Sequence, residues 1–561
     1  MKTLKYIIGK FLSLIGLSVI LAGCGSDNEL QPTSDKKISV TSEDINCVEG
    51  KTSSILVPFA GKTYRLSVTA SDDVSWNVTT ESTPGFITVS PQGEQKGKGT
   101  IEIKAAANPD KTEGKEAVVA ISNNISGKYM EIFLEQKEKE LYFPEGSEGQ
   151  TAADFKNPAS KYNIHYMKEG PNVAILWDRA MGINPLQAKR SFDPDKALKA
   201  VEEVYAFLVD ELGFANRTTS YANKRKFLVF VRNDDNGTAL GGGDNGVGKF
   251  WVSPLHLQND RYGIFYHEMC HCFQFMAKYD GAADTTGPVH EMTSQWALMR
   301  RFPNWIDLER SHFNDFMKLT HLTLGHEANG YHSPYVLEYW ADKHGVTMVS
   351  RIWKEAKPED NGDFIATYMR LTGIDQETFN DEIYDAAARF ITWDLKHIKD
   401  EYAKHGGVNV HTCELKQLDS KTYQITSGRC PQNYGYNGIK LKVPATSGTK
   451  ISLTFQGIMN SNEYHYENKD KQGWRYGFLA VKKNGERVYG DMARYNGKGT
   501  DVHEFTVPEN TQHLWLIVTG APTKHWKHVV DGDNRTNDES WPYKITLINT
   551  EPDNDFCKVV K

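Results

Sequence analysis

The chain has 561 residues, of which 39% are hydrophobic and 24% charged. Its formal net charge is −7, with no basic tail or stripe, so nucleic-acid binding has no support. A chain of this length is expected to hold about three or four domains.

Residues 1–23 read as a leader. Lys2, Lys5 and Lys10 precede an apolar run from Phe11 to Leu21, too short to span a bilayer as a stable helix. The run ends Leu21-Ala22-Gly23-Cys24. This resembles the bacterial lipobox, which implies lipid attachment at Cys24 and an outer-membrane or cell-surface location. The acidic, polar segment after Cys24 resembles the tether of surface lipoproteins in Bacteroidetes-type bacteria. Residues 24–38 are poor in apolar side chains and are expected to be a disordered tether. No later segment has about 18 consecutive apolar residues, so the expected membrane partner is reached through lipid rather than a span. Seven cysteines are few for an exported chain; they form no CxxC pair, and Cys413–Cys430 is the candidate disulfide.

Residues 39–137 alternate apolar and polar positions, as at Tyr64, Leu66 and Val68, with turn clusters between the runs. Roughly seven short strands in an immunoglobulin-like all-β sandwich are expected. Ser75-Trp76-Asn77-Val78, Val89-Ser90-Pro91, Asn108-Pro109 and Phe133-Leu134-Glu135-Gln136 give this region a resemblance to the BACON domain, which implies carbohydrate as a partner. Trp76 reads either as a sugar-stacking face or as a core residue, and the core is the commoner use.

Residues 141–407 mix strands and helices, predicting an α+β domain. Asn163–Tyr166, Val173–Trp177 and Phe227–Val231 read as strands, and Asp193-Pro194 opens a helix. Gly241-Gly242-Gly243 reads as a flexible loop ahead of an edge strand at Gly248–Val252. Asn259-Asp260 is positioned to cap a helix running to about Lys278. On it, His267 and His271 stand one turn apart on one face, a spacing that lets two imidazoles meet one zinc ion. Glu268 lies beside them, placed to take a proton from a metal-activated water.

This HExxH pattern needs a third ligand. Gln274 and Ala277 stand where the metzincin extension requires Gly and His, which excludes that class. Gly287-Pro288 starts a second helix with Glu291 in its first turn, and nineteen residues separate Glu291 from His271. The arrangement His267-Glu268-x-x-His271…Glu291 resembles the gluzincin metallopeptidases. That resemblance implies one catalytic Zn²⁺ held by His267, His271 and Glu291, with Glu268 as general base. Gln295 stands where many gluzincins carry an acid that orients a ligating histidine. His290 and Asp284 are the reserve choices for third ligand, and Cys270 and Cys272 read as buried small residues. Tyr331 and His332, in Gly330-Tyr331-His332, are oxyanion candidates, with packing as the competing reading.

Residues 408–550 return to β character and predict a C-terminal β-sandwich, followed by a tail at 551–561. Trp474, Tyr476, His525, Trp526 and Trp541 read either as a sugar-stacking platform or as core and interdomain aromatics, and packing is the commoner use. From Tyr142 to about Ile548 the chain also resembles an uncharacterised family of exported bacterial proteins, some labelled avirulence proteins. The sequence therefore points to a cell-surface zinc endopeptidase acting on proteins or glycoproteins. Its alternative is a glycan-binding or adhesive lipoprotein with a structural or inactive zinc site.

Overall fold

A computed structural model describes residues 37–108, 114–217, 220–258, 262–405, 411–459, 461–465, 467–532 and 538–561. The leader, Cys24, nearly all of the tether, and Asn259-Asp260 lie outside the described residues. The described chain is multidomain and β-rich, with five sheets.

In the N-terminal region a four-stranded sheet runs in the order Ile38–Thr41, Lys62–Ala70, Gly99–Ala105, Ile87–Ser90. A five-stranded sheet runs Thr52–Leu56, Gly127–Gln136, Lys115–Asn123, Ser75–Ser82, Gly93–Lys96. The strict alternation of buried and exposed residues along Lys62–Ala70 is what a sheet with one solvated face requires. Trp76 is 2% exposed and its indole N–H donates to the Gly97 carbonyl at 2.9 Å, so it belongs to the core.

A second unit takes in Leu134–Lys561. Its first sheet has the order Met167–Glu169, Val173–Trp177, Phe227–Val231, Val247–Val252, Leu240–Asp244. The three inner strands are parallel and the two outer ones antiparallel to their neighbours. Val173–Trp177 and Phe227–Val231 are buried at every position, as expected of strands covered on both faces. Two expectations fail here. Asn163–Tyr166 is not a strand: the Asn163 side chain accepts from the His165 N–H and turns the chain into a short 3-10 segment, Ile164–Tyr166. The glycine run is not a flexible loop: it is the true edge strand, Leu240–Asp244, which displaces Val247–Val252 to the interior.

The motif helix, Gly263–Tyr279, packs against this edge strand. Glycine is required for that closeness. A Cβ at Gly241 would sit 2.2 Å from the Glu268 carbonyl oxygen, and one at Gly243 2.0 Å from the Phe275 ring. The glutamate helix, Val289–Arg301, follows the loop through Gly287 and Pro288 and packs on the motif helix. Tyr335–His344 packs in turn on the glutamate helix, where buried Glu338 accepts from Arg300 (2.8 Å) and from the Trp296 indole (2.9 Å).

The C-terminal region has a six-stranded sheet and a five-stranded sheet that share one core. The six-stranded sheet runs Asp501–Thr506, Lys450–Gly457, Tyr543–Ile548, Thr422–Ile425, Cys413–Gln417, Cys557–Val560. The supposed tail thus ends as a strand, parallel to Cys413–Gln417. In the five-stranded sheet, Trp474–Lys482 is buried almost throughout. Trp474, Tyr476 and Phe478 face the shared sandwich core, whereas Leu479, Trp515 and Ile517 join the core of the helical region. Arg475, fully buried, seals this junction by donating to Asp381 (2.8 Å) and Glu377 (2.6 Å) on the helix Gln376–Phe390. The aromatic side chains of Trp474, Tyr476 and Trp541 are completely buried and offer no sugar platform.

Candidate metal centre

The i, i+4 spacing brings the Nε2 atoms of His267 and His271 within 3.2 Å of each other. Glu291 Oε2, arriving from the glutamate helix, lies 3.1 Å from His267 Nε2 and 3.4 Å from His271 Nε2. A tetrahedral zinc with bonds of about 2.0–2.1 Å has donor atoms about 3.3–3.4 Å apart, so this triangle has the dimensions of one face of such a site. His290 and Asp284 are occupied elsewhere: His290 with Gln274 and the Thr285 carbonyl, Asp284 with Lys278.

The ring of His271 is held from behind. Its Nδ1 lies 2.9 Å from Gln274 Oε1 and 3.2 Å from Ser294 Oγ. The Gln274 amide is oriented by its own Nε2, which donates to the His290 carbonyl at 2.9 Å. Gln274 Oε1 is an acceptor, so His271 carries its hydrogen on Nδ1 and turns an Nε2 lone pair toward Glu291 and His267. Gln295 does not take this role. Its carbonyl accepts from the buried Trp305 indole at 2.9 Å, and the helix presents Ser294 to His271 instead.

The electrostatics describe a site in need of one positive charge. Burial lowers the His267 pKa against the pull of Glu291. Burial also acts to lower His271, but its contacts with Glu291 outweigh this and raise it. Burial acts to raise Glu291, yet the two histidines hold it well below the carboxylate range. Either protons or a cation can meet that demand, and the donor set of two imidazoles and a carboxylate fits zinc. Glu268 stands apart from the triangle. Burial, reinforced by the charge of Glu291, pushes it up to about 7, against His271 and a hydrogen bond from the Gly241 backbone N–H.

Tyr331 reaches the triangle from the segment before the helix Tyr335–His344. Its ring lies parallel to that of His267 with centroids 6.1 Å apart, and the Glu291 carboxylate helps to keep its hydroxyl protonated. Burial pushes its pKa up to about 12 although the residue is 45% exposed. His332 turns away: its Nδ1 lies 3.0 Å from that of His312, whose ring stacks on Tyr331. Cys270 and Cys272 are fully buried, and burial pushes Cys270 up to about 12 and Cys272 higher, so both are packed thiols.

A second group, His326, His528 and Asp538, also has donor atoms within 4.8 Å of one another.

Residues 134–554 match a protein family described as a family of unknown function, DUF6055. The chain belongs to this family. No curated protein sequence matches it. Solved structures similar to parts of the chain include WR4, a C. elegans MSP family member, at 19% identity over 17% of this chain and 96% of that one, with a TM-score of 0.12. The C-terminal family 22 carbohydrate binding module of Clostridium thermocellum Xyn10B matches at 12% identity over 23% and 71%, with a TM-score of 0.15. A Bacteroides ovatus GH5 xyloglucanase matches at 13% identity over 49% and 64%, also with a TM-score of 0.15. Likenesses this slight carry no argument about function.

The whole triangle, with Glu268, Gln274 and Tyr331, lies within the DUF6055 region. Gln274, Ser294, Gly241 and His312 were not identified as site residues from the sequence. Their signals were present in part: Gln274 is three residues after His271, and Ser294 three after Glu291, so each shares a helix face with a ligand.

Proposed function

We propose that this DUF6055 protein is a zinc-dependent endopeptidase with a zincin-like catalytic domain, acting on proteins or glycoproteins at the cell surface. The observation that carries the reading is the convergence of His267, His271 and Glu291 at 3.1–3.4 Å with a second carboxylate, Glu268, beside them and outside the triangle. A purely structural site has no use for such a base.

When bound, zinc supplies a Lewis acid that polarises a carbonyl and makes water easier to deprotonate. The chain supplies the rest. Glu268, with a pKa pushed up to about 7, accepts a proton from the attacking water at its carboxylate and returns it to the departing amine. The Gly241 backbone N–H favours the ionised form of that carboxylate. Gln274 fixes the tautomer of His271. The Tyr331 hydroxyl, held protonated on a ring parallel to that of His267, is a donor for a developing oxyanion.

Lipid attachment at Cys24 would place this activity at the outer surface; among the described residues, no helix is long and apolar enough to cross a membrane. The adhesive alternative loses its best sugar platform, because Trp474, Tyr476 and Trp541 are buried.

Glu268→Gln tests the mechanism. It is expected to keep fold and zinc while hydrolysis of a peptide and glycoprotein panel falls by about 10²- to 10⁴-fold. Undiminished cleavage by this variant sinks the assignment of the base. A zinc-loaded wild type that cleaves nothing moves the reading to the adhesive one.

A further inference from the structure

Three buried cysteines, Cys413, Cys430 and Cys557, lie in the core of the C-terminal sandwich. All three are free thiols in the structure, and Cys430, the candidate partner of Cys413, directs its thiol to the Thr426 carbonyl at 3.5 Å. Cys413 instead faces Cys557. The two are register partners on adjacent parallel strands, and the neighbouring pair repeats the register, with Lys558 Nζ 2.7 Å from Glu414 Oε2. Register partners project from the same face of a sheet, and both thiols point inward, at 2% and 0% exposure. Adjacent strands lie about 4.7–4.9 Å apart, inside the range of about 4.4–6.8 Å between Cα atoms that a disulfide spans.

The strand Cys557–Val560 needs a fastening. It has four residues and occupies the edge of its sheet with one neighbour. A strand this short, paired on one side, has few ladder hydrogen bonds to hold it.

We propose that Cys413 and Cys557 are joined by a disulfide when the protein folds in an oxidising compartment, and that this bond fastens the edge strand Cys557–Val560. The oxidant is a disulfide of a carrier protein or of a small thiol. The thiolate of one cysteine attacks it, forming a mixed disulfide and releasing one carrier thiol. The second cysteine then displaces the carrier. One S–S bond breaks in the carrier and one forms in the protein; two electrons and two protons pass to the carrier, which leaves as two thiols. Contact with Cys557 and burial both raise the Cys413 pKa, so the folded pair attacks slowly and the bond forms as the sheet closes.

The test is a non-reducing peptide map of the full chain exported into an oxidising compartment, alkylated in denaturant before digestion. The expected result is a linked peptide containing Cys413 and Cys557, with Cys430 alkylated. Cys430→Ala is expected to keep the link. Reduction, Cys413→Ala and Cys557→Ala are each expected to lower Tm by about 5 °C, with no further loss in the double variant. Alkylation of both cysteines, or a bond from Cys413 to Cys430, overturns the proposal. If the alanine variants misfold, the wild-type map still decides.

Discussion

His267, His271 and Glu291 hold their donor atoms 3.1–3.4 Å apart, and His326, His528 and Asp538 lie within 4.8 Å of one another, yet the two groups are wired differently. In the first, Gln274 accepts from His271 Nδ1, leaving Nε2 with a lone pair aimed at its partners. In the second, His326 Nδ1 itself accepts the Ala328 N–H at 3.1 Å. The neutral ring then carries its hydrogen on Nε2, which lies 3.0 Å from Asp538 Oδ1 and donates to it. His528 Nε2 is likewise paired, with Glu327 Oε2 at 3.0 Å. Two histidines and a carboxylate thus make a candidate cation site in one place and a clasp in the other. What the far nitrogen of each ring does decides between them.

The clasp has its own use. Asp538 and His528 belong to the connection between Thr511–Gly520 and Tyr543–Ile548, whose described residues bond to the helical region. His525 meets Asp363 at 2.8 Å, and Lys527 meets Thr286 Oγ1 at 2.8 Å, just before the glutamate helix. This connection braces the loop that delivers Glu291.

Two substitutions separate the clusters. Gln274→Leu removes the acceptor that sets the His271 tautomer. It is expected to weaken zinc binding about 10- to 100-fold, read by competition with a chromophoric chelator. Unchanged affinity would mean that Ser294 alone orients the ring. Asp538→Asn turns a charge-assisted bond to a fully buried histidine into a neutral one. It is expected to leave zinc content unchanged and to cost about 1 kcal/mol in urea unfolding. Loss of a zinc equivalent in this variant would give the second cluster the role denied to it here.

The difference between the clusters also explains what could be read from the chain. His267 and Glu291 are 24 residues apart on two successive helices, and helical periodicity with the Gly287-Pro288 break was enough to bring them together. His326 and Asp538 are 212 residues apart on irregular segments, where no local period exists to relate them. The choice of Ser294 and Gln274 over Gln295 depends on how two helices are rotated against each other and on the demand of the Trp305 indole for an acceptor. Leu240–Asp244 escaped recognition because three successive glycines carry no side chains to alternate, although their lack of Cβ atoms is what lets the strand lie on the motif helix. In the C-terminal sandwich, burial of both faces of Trp474–Lys482 reflects its second contact with the helical region, a tertiary fact that strand patterning does not encode.

The central claim is that His267, His271 and Glu291 hold one zinc with a position left for chemistry. Anomalous diffraction at the zinc absorption edge, on crystals grown with zinc, tests it most directly. The account predicts a peak about 2.0–2.2 Å from both Nε2 atoms and the Glu291 carboxylate, with the fourth position open and Glu268 beside it. No peak in that triangle, or a peak closed by four protein ligands, would contradict it.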